Sequence, residues 1–575
     1  MNATGKSCIG LLLLLATQEP TWAQSGIEPY IEYRKRVETA QNISPLDNGL
    51  FGDQVSLYNG ATEFNITDID VRGNNSLPVQ IGRRLSIELQ PQNTIEPYDT
   101  RLLGIGNWDS AVPYLAAVYP STSGWPTTRC SGGSVPATLV SRFYRTEFWQ
   151  GITAYIPGRG STNIMGMQTA TPRPPTGTYR FTTTERDVLD CIPMKSGLAG
   201  EGFRMTTSSG VRYSFDVAVT RTAAKLMKYV KPARDEFPIE VYMGRTKYYL
   251  LASKVEDHLG NTVEYQYNAS GQPTRIWAND GREIILSYTS GRLSNATSHG
   301  RTWQYQYHAN GDLAQVVYPD GSRWGYSYSG SLTPPPEVAE LPSMPWCSQT
   351  PLALSAGYSV TINSPSGATG TFAFANQRHF RSGVHVTECA KGGDQLDPDY
   401  TLLVPHYFDV MSIASKTLSG TGLTTPLTWT YGYTTPATFL WGLPTQAPAY
   451  PCTTCEMAKS TLVTNPDGSK VRHTFGMRYY DNDGRLLKVE TLDAANAVQR
   501  VETSTYMNEI SAASQPFHGE YGSILGSMND PASARIRPIT NRSILQQGVN
   551  LIWQANAFDS SARPINVTQS STPTP

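Results

Sequence analysis

The sequence predicts a mostly β protein: a repeated array of β-hairpins forming a curled or spiral sheet, a partial shell, with a β-rich domain ahead of it. Three observations carry this. Charged residues make up only 16% of the 575-residue chain, while 49 Gly and 40 Pro punctuate it, where an average soluble domain has roughly 25% charged residues. Thirty-two Tyr stand against sixteen Phe, so most large aromatics carry a hydroxyl, which suits strands with one dry and one wet face. And between residues 255 and 330 a glycine turn, a polar-aromatic strand and another glycine turn come round four times.

In chain order, residues 1–23 read as a secretory signal, with Lys6 in the polar start, Ile9 to Ala16 as the apolar run and Thr21-Trp22-Ala23 as the cleavage site. The expected product is secreted, periplasmic or on the cell surface. No later segment approaches 18 apolar residues, so no membrane span is predicted. A net charge of -1 gives no basic footprint for nucleic acid. Removing Cys8 with the signal leaves Cys130, Cys191, Cys347, Cys389, Cys452 and Cys455, an even number that suits up to three disulfides whose connectivity stays open. Cys452 and Cys455 form a single CxxC with no second CxxC and no His pair at ligand spacing, so a local disulfide is expected there. Residues 24–245 form the β-rich leader domain.

The repeats occupy 246–330. Gly260, Gly281, Gly300 and Gly321 each precede by seven residues an aromatic, Tyr267, Tyr288, Tyr307 and Tyr328, and a second turn follows at Gly271, Gly291, Gly311 and Gly330. Each unit of about twenty residues is therefore a hairpin. Asn279-Asp280-Gly281 and Pro319-Asp320-Gly321 supply the positive-φ residues of tight turns, and Glu264-Tyr265-Gln266-Tyr267 alternates with period two. This register puts the four tyrosines on one face, stacked as neighbours across adjacent units. A lone hairpin cannot bury its apolar face, so the units must pair edge to edge.

A β-rich insertion without repeats, 331–458, enters through Pro334-Pro335-Pro336 and holds strand-like runs at Tyr358–Ile362 and Leu427–Tyr431. The array resumes over 459–575. There Gly468 and Phe475 keep the seven-residue offset, and Tyr480-Asp481-Asn482-Asp483-Gly484-Arg485 shares a register with Phe558-Asp559-Ser560-Ser561-Ala562-Arg563. After it come Ile565-Asn566-Val567 and a polar Ser/Thr/Pro tail that reads as unable to supply another strand.

For chemistry the sequence offers little. It holds no Gly-x-Ser-x-Gly elbow, His-Glu-x-x-His helix, Walker loop or dinucleotide glycine motif, so it is read as a non-enzyme without cofactor or metal. Asp481, Asp483 and Glu490 fall at calcium-loop positions, but Tyr479 stands where the first carboxylate belongs, and a plain hairpin turn explains them better. The carboxylate pairs Glu256-Asp257, Asp187-Asp190 and Asp235-Glu236 read as solvated turn charges rather than a glycosidase pair. His258, His299 and His308 lie in or beside repeat turns and read as solvent-facing.

The Tyr-Asp-x-x-Gly-Arg unit of 480–485 and its hairpin period resemble the YD repeats of RHS proteins. The block Leu50-Phe51-Gly52-Asp53-Gln54-Val55-Ser56-Leu57-Tyr58-Asn59-Gly60, continuing to Gly73-Asn74-Asn75-Ser76-Leu77-Pro78-Val79, is similar to the leader of secreted members. The resemblance covers 30–90 and most of 250–330 and 460–570. It implies a hollow β-shell, like that of the B and C components of Tc toxins, around an effector segment that is often a toxin. This sequence departs from the pattern in lacking the Pro-x-x-x-x-Asp-Pro-x-Gly self-cleavage motif, since neither Asp397-Pro398 nor Asp530-Pro531 has the glycine. Two functions follow. The first is a non-catalytic shell or scaffold that encloses or displays a partner, another RHS chain or an effector segment, with its C-terminal sheet edge completed in trans. The second is a carbohydrate-binding or adhesive surface protein, if Trp277, Trp303, Tyr305 and Trp324 form an exposed stacking row.

Overall fold

The computed structural model describes residues 49–573, apart from 88–100, 231–238, 333–356, 392–400, 403–405 and 526–533 and the single positions 103, 169, 170, 172, 444 and 448. The expected signal segment, 1–23, lies outside them. Strands dominate, and among the described residues helix is limited to the short turns Arg145–Phe148, Val386–Cys389 and Glu509–Ala513.

The first element is a four-stranded antiparallel sheet, β1 (Asp53–Val55), β2 (Thr62–Val71), β3 (Val79–Ile87) and β4 (Asp109–Ser110). Phe64, Ile66, Val79, Ile81, Leu85 and Ile87 are all buried and alternate with the half-buried polar residues Glu63, Asn65, Gln80, Arg84 and Ser86, so the leader sheet has one dry face that other strands must cover.

Next comes a closed ring. The strands Tyr114–Pro120, Ile152–Ile156, Gly160–Gly166, Phe181–Thr182, Val188–Pro193, Glu201–Thr206, Arg212–Val230 and Ile239–Glu256 pair antiparallel, each with the next. The last returns to the first, from Arg245 opposite Pro120 to Leu251 opposite Tyr114, so the ring keeps no free edge. Its core includes Leu115, Tyr119, Trp125, Trp149, Phe203, Phe215 and Leu250, and Cys130 is disulfide-bonded to Cys191.

Ile239–Glu256 is shared. One edge pairs with Arg212–Val230 along its length, while the other closes the ring through 245–251 and then, at Lys254 to Glu256, pairs with Thr262–Tyr267. There the hairpin array begins, and it runs by successive antiparallel pairs through Pro273–Ala278, Glu283–Thr289, Arg292–Ser298, Arg301–Tyr307, Leu313–Val317 and Arg323–Gly330. Within the segment read as an insertion, Gly357–Asn363, Thr369–Phe380, Tyr407–Ser419 and Leu427–Thr434 continue the same ladder. It then passes through Ala458–Thr464, Lys470–Gly476, Leu486–Leu492 and Val498–Tyr506 to Ile539–Gln546 and Val549–Phe558.

Two turn designs join the hairpins. At Gly260, Gly271, Gly281, Gly311, Gly321 and Gly468 the glycine amide bonds the carbonyl three residues back at 2.9–3.3 Å, and the residue before the loop donates to the carbonyl beyond it, as Ala278 does to Arg282 at 2.9 Å. This is the three-residue loop whose last position is left-handed. Of Asn279, Asp280 and Gly281 only Gly281 has positive φ, +91°, a correction to the tight turn expected there. Asp257 and Asn268 add a carboxylate or amide oxygen that accepts two following amides. At Ser290-Gly291 and His299-Gly300 both residues have positive φ, the two-residue loop.

The repeat tyrosines occupy one register position but do not stack on one another. Units lie two strands apart, about 9.6 Å, too far for ring contact. Tyr267, Tyr288 and Tyr307 instead stand at β-bulges, and their hydroxyls reach back to the carbonyls of Ala252 (2.8 Å), Pro273 (2.9 Å) and Leu293 (2.7 Å). A half-buried hydroxyl needs a partner, and the preceding unit provides it. Tyr328 accepts the indole N–H of Trp108 at 2.7 Å.

The Ser/Thr/Pro-rich end is corrected as well. Pro564–Pro573 is a ten-residue strand paired with Val549–Phe558, and all ten of its residues are exposed. Its pairing uses main-chain groups, Val567, Thr568 and Thr572 favour extended backbone, and the two prolines sit at the strand ends, where a missing N–H costs little. Cys452 is bonded to Cys455; Cys347 and the side chain of Cys389 lie outside the described residues.

Candidate functional site

The structure brings the leader block and the array together on one buried face. Phe51 and Phe64 meet Phe372 edge to face at 5.7 and 4.8 Å, and Trp108 packs on Tyr326 at 5.1 Å. Polar groups fix the docking. Asp53 on β1 pairs with Lys416 at 2.7 Å, with both side chains at most 5% exposed. Asp68 on β2 pairs with Arg83 on β3 at 3.1 Å, both fully buried, and accepts the Tyr305 hydroxyl at 3.0 Å. Burial pushes the Asp68 carboxyl upward, against the pull of Arg83 and Tyr305, while the Arg83 guanidinium lies 4.9 Å from the Tyr326 ring. From the array side, Arg282 donates to the carbonyls of Val71 (3.1 Å) and Leu77 (3.0 Å).

The tightest contact is the loop between β1 and β2. Gly60 accepts the Ile413 amide at 2.9 Å, and a Cβ there would lie 2.3 Å from the Tyr433 hydroxyl and 2.6 Å from the Ser412 Cβ, so only glycine lets the chains approach this closely. Ser412 donates to the Asn59 carbonyl at 2.6 Å. Tyr58 stands edge-on to Phe475 and stacked on Phe408, at 5.8 and 6.2 Å, and its hydroxyl bonds Asp483, which also pairs with Arg381 at 3.0 Å. Over the Tyr58 ring, 3.5 Å from its centroid, sits the ammonium of Lys459, which is 4% exposed and has no hydrogen-bond partner among the described residues. Burial pushes its pKa down to about 7, with Asp483 opposing and Arg381 adding to the shift. His379, beside Ser412 at 3.3 Å, is pushed down to about 3, first by burial and then by Lys459.

Of the residues singled out in the 480–485 unit, Tyr480 stacks on Tyr450 at 4.5 Å, Asp481 pairs with Arg478 at 3.4 Å, Gly484 has φ +78° and Arg485 donates to the Arg537 carbonyl at 3.0 Å. Asp483 and Glu490 do not share a site, because Glu490 pairs with Arg472 at 3.3 Å on its strand. Asp187 pairs with Arg159 at 2.7 Å, Glu256 with Lys254 at 2.6 Å, and Asp257 caps its own turn; Asp235-Glu236 lies outside the described residues. His258, His299 and His308 are exposed. Trp303 and Tyr305 are buried, Trp277 lies under the Arg275 guanidinium at 4.6 Å, and the Trp324 indole donates to the Tyr318 hydroxyl at 3.1 Å.

The family model for the RHS repeat matches residues 288–323, within the turns and bulges described above. Over that stretch the chain carries an RHS repeat. Among solved structures the chain is similar to the one described as "Crystal Structure of TcdB2-TccC3-TEV", at 9% identity and a TM-score of 0.18, with 94% of this chain covered. It spans 24% of that chain's length. No curated protein matches it. Asp53, Tyr58 and Gly60, the docking groups of the leader block, do not stand out as such in the sequence. The signal was an Asp and a Tyr beside glycines in a segment with no repeat of its own.

Proposed function

We infer that this RHS/YD-repeat chain is a non-catalytic wall of a secreted shell that encloses or displays a partner, either another RHS chain or an effector segment. The observation that carries this reading is the leader sheet: the array already holds a foreign-looking segment of its own chain against one face through aromatic, ionic and main-chain contacts. A wall that can bury β1 to β4 has the chemistry to bury a further extended segment. The fully exposed strand Pro564–Pro573 supports a second RHS chain as one partner, because an exposed strand is the place for strand addition. Export rests on the apolar run at Ile9 to Ala16 and on paired cysteines, which suit an oxidising compartment. The carbohydrate reading needs an exposed aromatic row, and burial of Trp303 and Tyr305 weighs against it.

The test is co-expression with the product of the adjacent reading frame, followed by native mass spectrometry and protease challenge. A partner fragment that resists digestion only in the complex is expected. A partner that binds and is digested as fast as when free refutes enclosure.

A further inference from the structure

The loop joining β1 to β2, residues 56–61, is closed on itself. The Ser56 carbonyl accepts the Asn59 and Gly60 amides at 3.3 and 2.6 Å, the Ser56 amide donates to the Ala61 carbonyl at 2.9 Å, and Asn59 Oδ1 accepts the Ala61 amide at 3.1 Å. None of these bonds involves the array, so the loop can lift as a unit. It is held down by Ser412 on the Asn59 carbonyl, by the Ile413 amide on the Gly60 carbonyl and by the Tyr58 hydroxyl on Asp483.

Beneath it lie two basic side chains, Lys459 and His379, both at most 4% exposed. Lys459 Nζ and His379 Nδ1 have no hydrogen-bond partner among the described residues. Aromatic rings enclose them. Lys459 Nζ lies 3.5 Å from the Tyr58 centroid and 5.1 Å from that of Phe408, while His379 stacks on Phe408 at 5.4 Å and meets Tyr433 edge-on at 5.6 Å. The facing charges do not compensate them. Asp483 draws a proton to Lys459, but Arg381, paired with Asp483 at 3.0 Å, opposes it, and the charge that acts on His379 is Lys459 itself. Arg378 and Asp409 pair on the opposite side of the strands that carry His379 and Phe408, Asp53 is closed on Lys416, and His473, one pair along from Lys459, is another base that burial pushes down. A proton on either base is therefore stranded among rings while the loop is down, and meets water once it lifts.

We propose that residues 56–61 form an acid-released latch: as the medium acidifies, Lys459 and then His379 take up protons that the closed loop excludes, and the loop lifts from Phe408, Phe475 and Tyr433 while the wall stays paired. The sign follows from burial, which lowers both bases in the closed state and so makes the open state the better proton acceptor. Lys459, about 7 when covered and ~10.4 when free, acts as pH falls towards 7, less the attraction of the Tyr58 face. His379, about 3 when covered and ~6.5 when free, acts below pH 6.5. Each shifts the balance by at most about tenfold per pH unit.

Hydrogen exchange of the full chain, corrected for the intrinsic pH dependence of amides, tests it at the Ile413 amide, whose bond to Gly60 breaks when the loop lifts. Opening there should rise about tenfold from pH 6.5 to pH 5, while the ring amides of Tyr248 to Leu250 keep their protection. His379→Gln, which leaves Ser412 a polar neighbour and removes the titration, should abolish that rise. If this variant does not fold, Lys459→Met reads the upper step, with opening equal at pH 9 and pH 7 where the wild type gains. Ile413 and ring amides that open together, opening that does not grow with acid, or a folded variant with the wild-type slope overturns the latch.

Discussion

Replacing Lys459 by Met should remove a pH dependence of stability that one buried amine creates. Lys459 is 4% exposed, and burial holds its pKa at about 7 in the fold, whereas an unfolded lysine titrates near ~10.4. Between those values the unfolded chain carries the proton and the folded chain does not, so the unfolding free energy rises with pH. From pH 7 to 9 the gain is about 2 kcal/mol. The Tyr58 face, 3.5 Å from the ammonium, favours the charged form and makes that figure a ceiling. His379 and His473, pushed down by burial to about 3 and about 4, also fold neutral, but their stabilisation is complete above about pH 6.5 and is lost only as pH falls below it. Buried tyrosines such as Tyr265 and Tyr305, whose hydroxyls burial pushes upward, act above about pH 10. The interval from pH 7 to 9 therefore isolates Lys459. Met keeps the unbranched stem and removes the charge. Urea unfolding followed by tryptophan fluorescence at pH 7, 8 and 9 should show a rising midpoint for the wild type and a flat one for Lys459→Met, with the variant the more stable at pH 7. Equal slopes for the two proteins would refute the reasoning.

Asp53→Asn leaves the Lys416 ammonium buried without its carboxylate, at a cost of about 3–5 kcal/mol, and limited proteolysis should then cut the 56–61 loop first; Lys416→Met on the same background should restore protection. Tyr288→Phe removes one hydroxyl from the Pro273 carbonyl and should lower stability by about 1 kcal/mol in denaturant titrations. Removing the Cys130–Cys191 bridge, which closes 61 residues, should cost about 4 kcal/mol, against about 1.5 kcal/mol for the three-residue separation of Cys452 and Cys455. Under denaturing, non-reducing conditions none of these four cysteines should take up a thiol label.

The hairpin period was legible because it is local: a glycine with left-handed φ and a tyrosine seven residues on are set by one turn and one strand, as at Gly281 and Tyr288. The bulge at each tyrosine left no mark in the sequence, since its partner is a main-chain carbonyl that any residue supplies. Nor did the closed ring, whose sealing pair joins Tyr114–Pro120 to residues 245–251 across a stretch without repeated spacing. The strand at 564–573 was hidden by its composition, because Ser, Thr and Pro suit a solvated tail and an exposed strand alike. The leader docking was invisible for a further reason. Asp53, Tyr58 and Gly60 gain meaning only beside Lys416, Asp483 and Tyr433, and nothing in a linear reading pairs them.

The bond from Tyr58 to Asp483 spans 425 positions, and this imposes an order of events during synthesis. A ribosome adding roughly 5–20 residues per second delivers Asp483 some 20–80 s after Tyr58. The ring can close once residue 256 has emerged, and each hairpin can then join a finished edge through contacts close in sequence, the kind that form quickly. The leader alone must wait. Trp108 is uncovered until Tyr326 is made, Phe51 and Phe64 until Phe372 is made, and Tyr58 until Asp483 follows, so the nascent chain carries an apolar surface near its start that is covered in stages as the wall is built. Its final docking is a late event, and protection of the 56–61 loop from protease would time the completion of the wall.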